Sequence, residues 1–199
     1  MSNVTQTLPL ISPAARVRKL RPAASLLEVT FVLLVIIGII AGVLSMATNT
    51  MRQSDVTQET QTLTNLAAAA MKVKSPSGFD GDEILPSIGA MGMIPANVTN
   101  TGTAAAPVLL NSWNGSITFD DDDGGGAFTI TYTNIPKEEC TQLVMAVKQG
   151  ILKSVGNGAT ATLNLGSGGT AAQVTAASAA TTVCPSTSGN TVTWSSAFK

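Results

Sequence analysis

At 199 residues, 44% apolar and 12% charged, the chain has room for one modest domain and one long apolar segment. Its formal charge of −1, which becomes 7 − 12 = −5 when residues 1–23 and their four bases are set aside, argues against nucleic acid as a primary partner. Histidine is absent, which removes serine and cysteine triads, most zinc sites and the commonest general base.

Residues 1–23 carry four of the eleven basic residues (Arg16, Arg18, Lys19, Arg21), and all twelve acids follow them. Such a cluster ahead of an apolar run reads as a positive-inside signal that keeps the N-terminus in the cytoplasm and residues from Arg52 onward outside. At 23 residues, this leader is too long before its apolar run for an ordinary secretory signal, and no A-x-A site follows the run. After Glu28 no charge appears until Arg52, leaving 23 uncharged residues, enough for a helix that crosses a bilayer. Ser25-Leu26-Leu27-Glu28 fits the capping box, in which the two side chains satisfy free amides at a helix start, and Glu28 suits the positive end of the helix dipole. Gly38 and Gly42 form a G-x-x-x-G step, open to three readings: close approach of helix backbones, a point where the helix loosens, or two tolerated glycines.

Beyond Arg52, Val56, Leu63, Leu66, Ala67 and Ala70 recur at helical spacing among polar residues, and no proline intervenes between Pro22 and Pro76. The pattern predicts one helix over 24–73. Residues 24–51 would be apolar all round, while 52–74 would be amphipathic and need a globular partner on one side. Residues 75–114 are punctuated by glycine and proline and read as a connecting loop, with Ile84, Leu85, Ile88 and Ile94 packing inward.

Residues 115–135 read as a hairpin, strands at 116–119 and 128–132 flanking an acidic, glycine-rich turn at 120–126. Asp120, Asp121, Asp122 and Asp123 beside three glycines raise calcium as a ligand, but the spacing matches neither the EF-hand loop nor the glycine-rich nonapeptide, and a solvated hairpin tip is the better reading. Residues 136–155 read as a helix with Pro136 and two glutamates at its start, and Cys140, Leu143, Val144, Val147, Ile151 and Leu152 as its apolar stripe. Residues 159–165 are strand-like, 170–183 favour a short helix, and 191–194 form a last strand. Cys140 and Cys184 both fall on the exported side, where an even count suggests one disulfide, the alternative being two buried thiols. No cofactor motif occurs, and a structural rather than enzymatic role is expected.

Several of these features together resemble one family, the type IVb pilins, which includes toxin-coregulated, bundle-forming and thin-pilus major subunits. A 23-residue basic leader, a small-residue junction, a glutamate fifth after it and a long apolar helix are similar to their class III prepilin signal. Asn111-Ser-Trp-Asn-Gly115 before a strand, and a helix-borne Cys140 with Cys184 ahead of a final Thr-Val-Thr strand, also resemble the family. The resemblance implies an α+β fold: a long N-terminal helix packed on an antiparallel sheet in a globular head (75–199), with a disulfide-closed C-terminal region over 136–199.

It further implies cleavage by prepilin peptidase between Ala23 and Ala24, where the family usually has glycine before the cut, and N-methylation of Ala24. Glu28 would take part in assembly, with Gly38 and Gly42 in the helix that forms the filament core. The implied partners are further copies in a helical homopolymer, the peptidase, an inner-membrane assembly platform and, before assembly, the membrane. The expected location is the inner membrane, then an extracellular pilus of a Gram-negative cell. The competing readings are a minor pilin or type II secretion pseudopilin and, from another class, a signal-anchored periplasmic binding domain.

Overall fold

The computed structural model describes residues 26–147, 149–158 and 161–198. Ser25, Ala24 and Ala23 lie outside these, and with them the capping box and the expected processing site. The chain divides into two units, Met1–Met46 and Ala47–Lys199. Helix α1, Leu26–Lys72, contributes to both, matching the expected 24–73 within the described residues.

In the first unit the side chains described run from Glu28 to Val43, and all are exposed. The uncharged run read from the sequence continues over 44–51, whose side chains lie outside the description. Among the described residues no helix is long and apolar enough to cross a membrane.

The second unit is built on a seven-stranded antiparallel sheet in the order β1-β2-β3-β4-β7-β5-β6. The strands are β1 Thr99–Asn100, β2 Leu109–Leu110, β3 Ser116–Asp122, β4 Ala127–Ile135, β5 Ser154–Asn157, β6 Leu163–Asn164 and β7 Asn190–Ser195. The last strand in sequence thus lies at the centre, between β4 and β5. Residues alternate faces along a strand, so the register Phe119↔Ile130↔Trp194↔Val155 and Ile117↔Tyr132↔Val192 puts the apolar set on one face. Onto that core come Val56, Leu63, Leu66, Ala67 and Ala70 of α1, buried as the helical spacing predicted, together with Ala69.

The other face is lined by hydroxyls rather than hydrocarbon. Thr129, Thr193, Ser195 and Ser154 are buried there. Each of the last three finds a partner: Thr131 Oγ1 meets Thr193 Oγ1 at 2.8 Å, Ser195 Oγ donates to Asp122 Oδ2 at 2.5 Å, and Ser154 Oγ donates to the Ala197 carbonyl at 2.7 Å. Paired in this way, the hydroxyls escape the penalty of burying an unsatisfied polar group.

Several expectations are corrected. Residues 75–114 are not simply a loop: they contain α2, Gly81–Ala90, and the short strands β1 and β2. Asp80 caps α2 by accepting from the Asp82 amide at 3.1 Å, Asp82 and Glu83 occupy its first turn, and Ile84 and Ile88 bury its inner face. That burial outweighs the loss of one intrahelical hydrogen bond at Pro86. Gly89 is required by packing, since a Cβ there would lie 2.3 Å from the Ala104 carbonyl oxygen. Leu85 and Ile94 are partly buried against the same core.

The acidic turn is also shorter than read: Asp120, Asp121 and Asp122 belong to β3, and the chain reverses at 123–126. Among the described residues no cluster of acidic, cysteine or histidine side chains is arranged to hold a metal ion. The helix expected over 136–155 is α3, Lys137–Ala146. It ends because Val147 is extended, and Ser154–Asn157 is claimed by pairing with both β6 and β7. Of the strand expected over 159–165 only β6 forms within the described residues. The helix over 170–183 becomes one turn, α4 Ala176–Ser178, capped by Thr175 and followed by a π turn at Ala179–Val183.

Cys140 and Cys184 are joined in a fully buried disulfide with a Cα separation of 6.0 Å, tying α3 to the end of the π turn. The bridge spans 44 residues of chain, and closing a loop of that length in the unfolded state stabilises by about 4 kcal/mol in the chain-entropy model. Cys140→Ser is therefore expected to lower the denaturant midpoint of the full chain sharply. Chemical denaturation of wild type and variant checks this, and coincident curves would contradict it.

Candidate assembly site

The residues singled out from the sequence fall into three places. Glu28 sits in the first turn of α1 and is exposed, with an apolar run following it. Gly38 and Gly42 lie one turn apart in an unbroken stretch of α1, and a Cβ added to either would meet nothing within 4 Å. Around them Val29, Phe31, Val32, Leu33, Leu34, Val35, Ile36, Ile37, Ile39, Ile40 and Val43 are 47–68% exposed. A helix apolar on every side is a surface that water disfavours, at about 25 cal/mol for each Å² left uncovered.

The amphipathic half of α1, within the second unit, is held by polar contacts that the sequence reading did not single out. Glu59 is buried, and its Oε1 accepts from both the amide and the hydroxyl of Ser112, each at 2.6 Å. Asn97 donates to the hydroxyl of buried Thr62. Arg52 Nη1 pairs with Glu138 Oε2 at 2.8 Å, and its Nε lies 3.5 Å from Glu139 Oε1, joining α1 to α3. The Glu138 pair is solvent-exposed and contributes little, whereas Glu139 is buried and relies on the cation.

Ser112 is positioned by the turn that the sequence marked at Trp113. Asn111 Oδ1 accepts from the amides of Trp113 (3.0 Å) and Gly115 (2.8 Å), and its Nδ2 donates to the Thr133 carbonyl at 2.8 Å. Asn134 Nδ2 donates to the Trp113 carbonyl at 2.8 Å, so both ends of the turn are fastened to β4. Asn114 takes φ 58°, a left-handed conformation that asparagine tolerates. Gly115 must lack a side chain, since a Cβ there would fall 1.8 Å from the Thr133 carbonyl oxygen. Trp113 is itself half-buried against the core.

The arrangement is a long helix, apolar on all sides in one part and locked to an antiparallel sheet in the other, with a disulfide-closed C-terminal region. That is the fold of a type IV pilin. A solved structure, the crystal structure of type IV b pilin from Salmonella typhi, is similar with a TM-score of 0.53 at 23% identity, covering 71% of this chain and 97% of that one. The family model described as PilS N terminal matches residues 53–197. The chain belongs to this PilS family, and it has the fold of a type IVb pilin. Among curated proteins no sequence matched.

Gly115→Ala is expected to destabilise the second unit by about 3 kcal/mol, the upper range for inserting a methyl into a closed site. The signal that would have exposed Glu59 is its place in the apolar stripe, midway between Val56 and Leu63. Thermal melting of the full chain checks the Gly115 prediction, and an unchanged midpoint would contradict it.

Proposed function

We propose that this chain is the major, filament-building subunit of a type IVb pilus, polymerising through α1 into extracellular filaments used for adhesion, aggregation, motility or conjugative mating. One observation carries the reading: the exposed apolar side chains of α1 between Val29 and Val43 belong to the same helix whose later part is buried in a folded sheet unit. A filament core made of copies of this helix would cover that surface, and the inner membrane would cover it before assembly. Among the described residues a Cβ added at Gly38 or Gly42 would meet nothing within 4 Å, and close helix approach in the filament is the role assigned to them. In this reading prepilin peptidase cuts between Ala23 and Ala24, the Ala24 amine is methylated, and an inner-membrane platform feeds subunits to the growing base.

Mass spectrometry of the subunit from surface filaments is expected to show loss of residues 1–23 and one methyl on Ala24. An intact leader in assembled filaments would defeat the processing assignment. Recovery of the chain as the dominant protein of sheared filaments supports the major-subunit role, whereas trace recovery assigns it to a minor pilin.

Glu28 is assigned the task of pairing with the Ala24 amine of a neighbouring copy. In low dielectric such a pair is strong and an unpaired carboxylate is penalised heavily, so correct axial register neutralises both charges. Glu28→Ala should leave subunit levels unchanged and reduce surface piliation at least about tenfold, which corresponds to about 1.4 kcal/mol per incorporation step. Wild-type piliation at equal subunit level would make Glu28 no more than a helix cap.

A further inference from the structure

Glu59 lies in the buried stripe of α1, between Val56 and Leu63, and is only 4% exposed. Among the described residues its donors are the Ser112 amide and hydroxyl, both directed at Oε1 at 2.6 Å. Neither is a cation. Arg52, two turns earlier on α1, is committed to Glu138 and Glu139, and Asp55, one turn earlier, is a like charge. Ser112 is itself exposed, so the contact sits at the edge of the core with solvent on its far side.

We propose that the Glu59–Ser112 contact is a pH-sensitive latch: it seats α1 firmly on the turn at 111–115 while the Glu59 carboxyl is protonated, and its hold weakens as the carboxyl ionises. The neutral acid suits the closed contact, since its carbonyl oxygen accepts from both Ser112 groups and no charge is buried. The ionised form bonds each donor about twice as strongly. It also gives up its hydration, however, and two neutral donors on one oxygen do not replace a full shell of water. Parting from Ser112 returns that water to the carboxylate and gives little to the acid, so ionisation favours the open contact. The turn stays in place meanwhile, because Asn111 and Asn134 fasten it to β4 without Glu59. What the latch regulates is the seat of α1 rather than the sheet. This goes beyond the assembly role and does not rest on it.

The groups around Glu59 set the sign. Burial, opposed by the two Ser112 hydrogen bonds and reinforced by Asp55, holds the Glu59 carboxyl above its ordinary range. The titratable group on β4 is Tyr132, a buried phenol pushed upward by its own burial first and the Glu59 charge second, so it stays neutral in acid and at neutral pH. Asn97 and Thr62, which join the connecting segment to α1, carry no charge. An acid raised in the folded state contributes its full stability below the ordinary glutamate range. That contribution is lost as pH rises from there through the raised value.

The test uses the full chain in detergent micelles: wild type, E59Q and S112A, melted at pH 4 and pH 8. Glutamine keeps the carbonyl that both Ser112 donors need and cannot ionise. Between the two pH values wild type should therefore lose at least about 3 °C of Tm relative to E59Q, the shift that a tenfold weakening of the seat produces in a chain of this size. S112A removes a donor that favours the ionised form, so its fall in Tm from pH 4 to pH 8 should be steeper than that of wild type. Selective 13C labelling of glutamate carboxyls reads the latch in the wild-type chain itself. The Glu59 signal, assigned by its absence in E59Q, should titrate above the ordinary glutamate range. A wild-type fall no steeper than that of E59Q, an S112A fall no steeper than that of wild type, or a Glu59 signal titrating within or below the ordinary range would each overturn the proposal.

Discussion

The second unit depends on the burial of one stripe of α1 against the apolar face of the sheet. Leu63, Leu66 and Ala70 are completely buried there, with Phe128, Ile130, Tyr132, Val192 and Trp194 in the same core. Full burial of one such aliphatic side chain contributes about 1.5–3 kcal/mol, so a handful of them matches the whole net stability of an ordinary domain. The Asn111 turn, the Glu59–Ser112 contact and the Arg52 ion pairs work on a smaller scale. They choose which rotation and register of the helix that burial will use, because a helix slid by one turn still offers an apolar stripe but no longer offers Glu59 to Ser112.

The placement of β7 makes that constraint cooperative. The last strand in the chain fills the centre of the sheet, pairing with β4 on one side and β5 on the other. The apolar face is therefore incomplete until residue 195 has been placed, and Trp194, its largest side chain, comes from that strand. The disulfide acts on the same problem. By joining α3 to the segment just before β7, it limits where the closing strand can search.

What the sequence disclosed follows from the strength of its periodicities. The stripe from Val56 to Ala70, the β3–β4 hairpin and the final strand alternate strongly enough to be read directly, and the cysteine count pointed to the bridge. The failures have physical causes. Pro86 and the flanking Gly81 and Gly89 hid α2, because the packing that makes them acceptable lies in β3 and in residues 104–107. The α3 stripe ran on through Ile151 and Leu152 because core residues of a following loop keep helical spacing by accident. Burial of the hydroxyl face of the sheet left no signal in the sequence, since Thr and Ser alternate with apolar residues whether water or protein covers them. Glu59 was missed for a related reason: a lone carboxylate among Gln and Thr reads as solvent-facing until its angular position on the helix is plotted.

Two carboxylates on the same helix show how far environment outranks residue type. Glu28 is exposed at the start of an apolar run; Glu59 is buried, with two donors on one oxygen and a like charge one turn away. Desolvation sets the difference. For Glu28, on the proposed assembly role, the cost of leaving water is deferred until neighbouring copies cover the helix, and its partner would come from them. For Glu59 the cost is met on folding, so its partners had to be built into the same unit, and Ser112 is held by the Asn111 turn for that purpose. On that proposal the sequence around Glu28 is read together with another copy of the chain, whereas Glu59 is matched by Ser112, 53 positions further along its own chain.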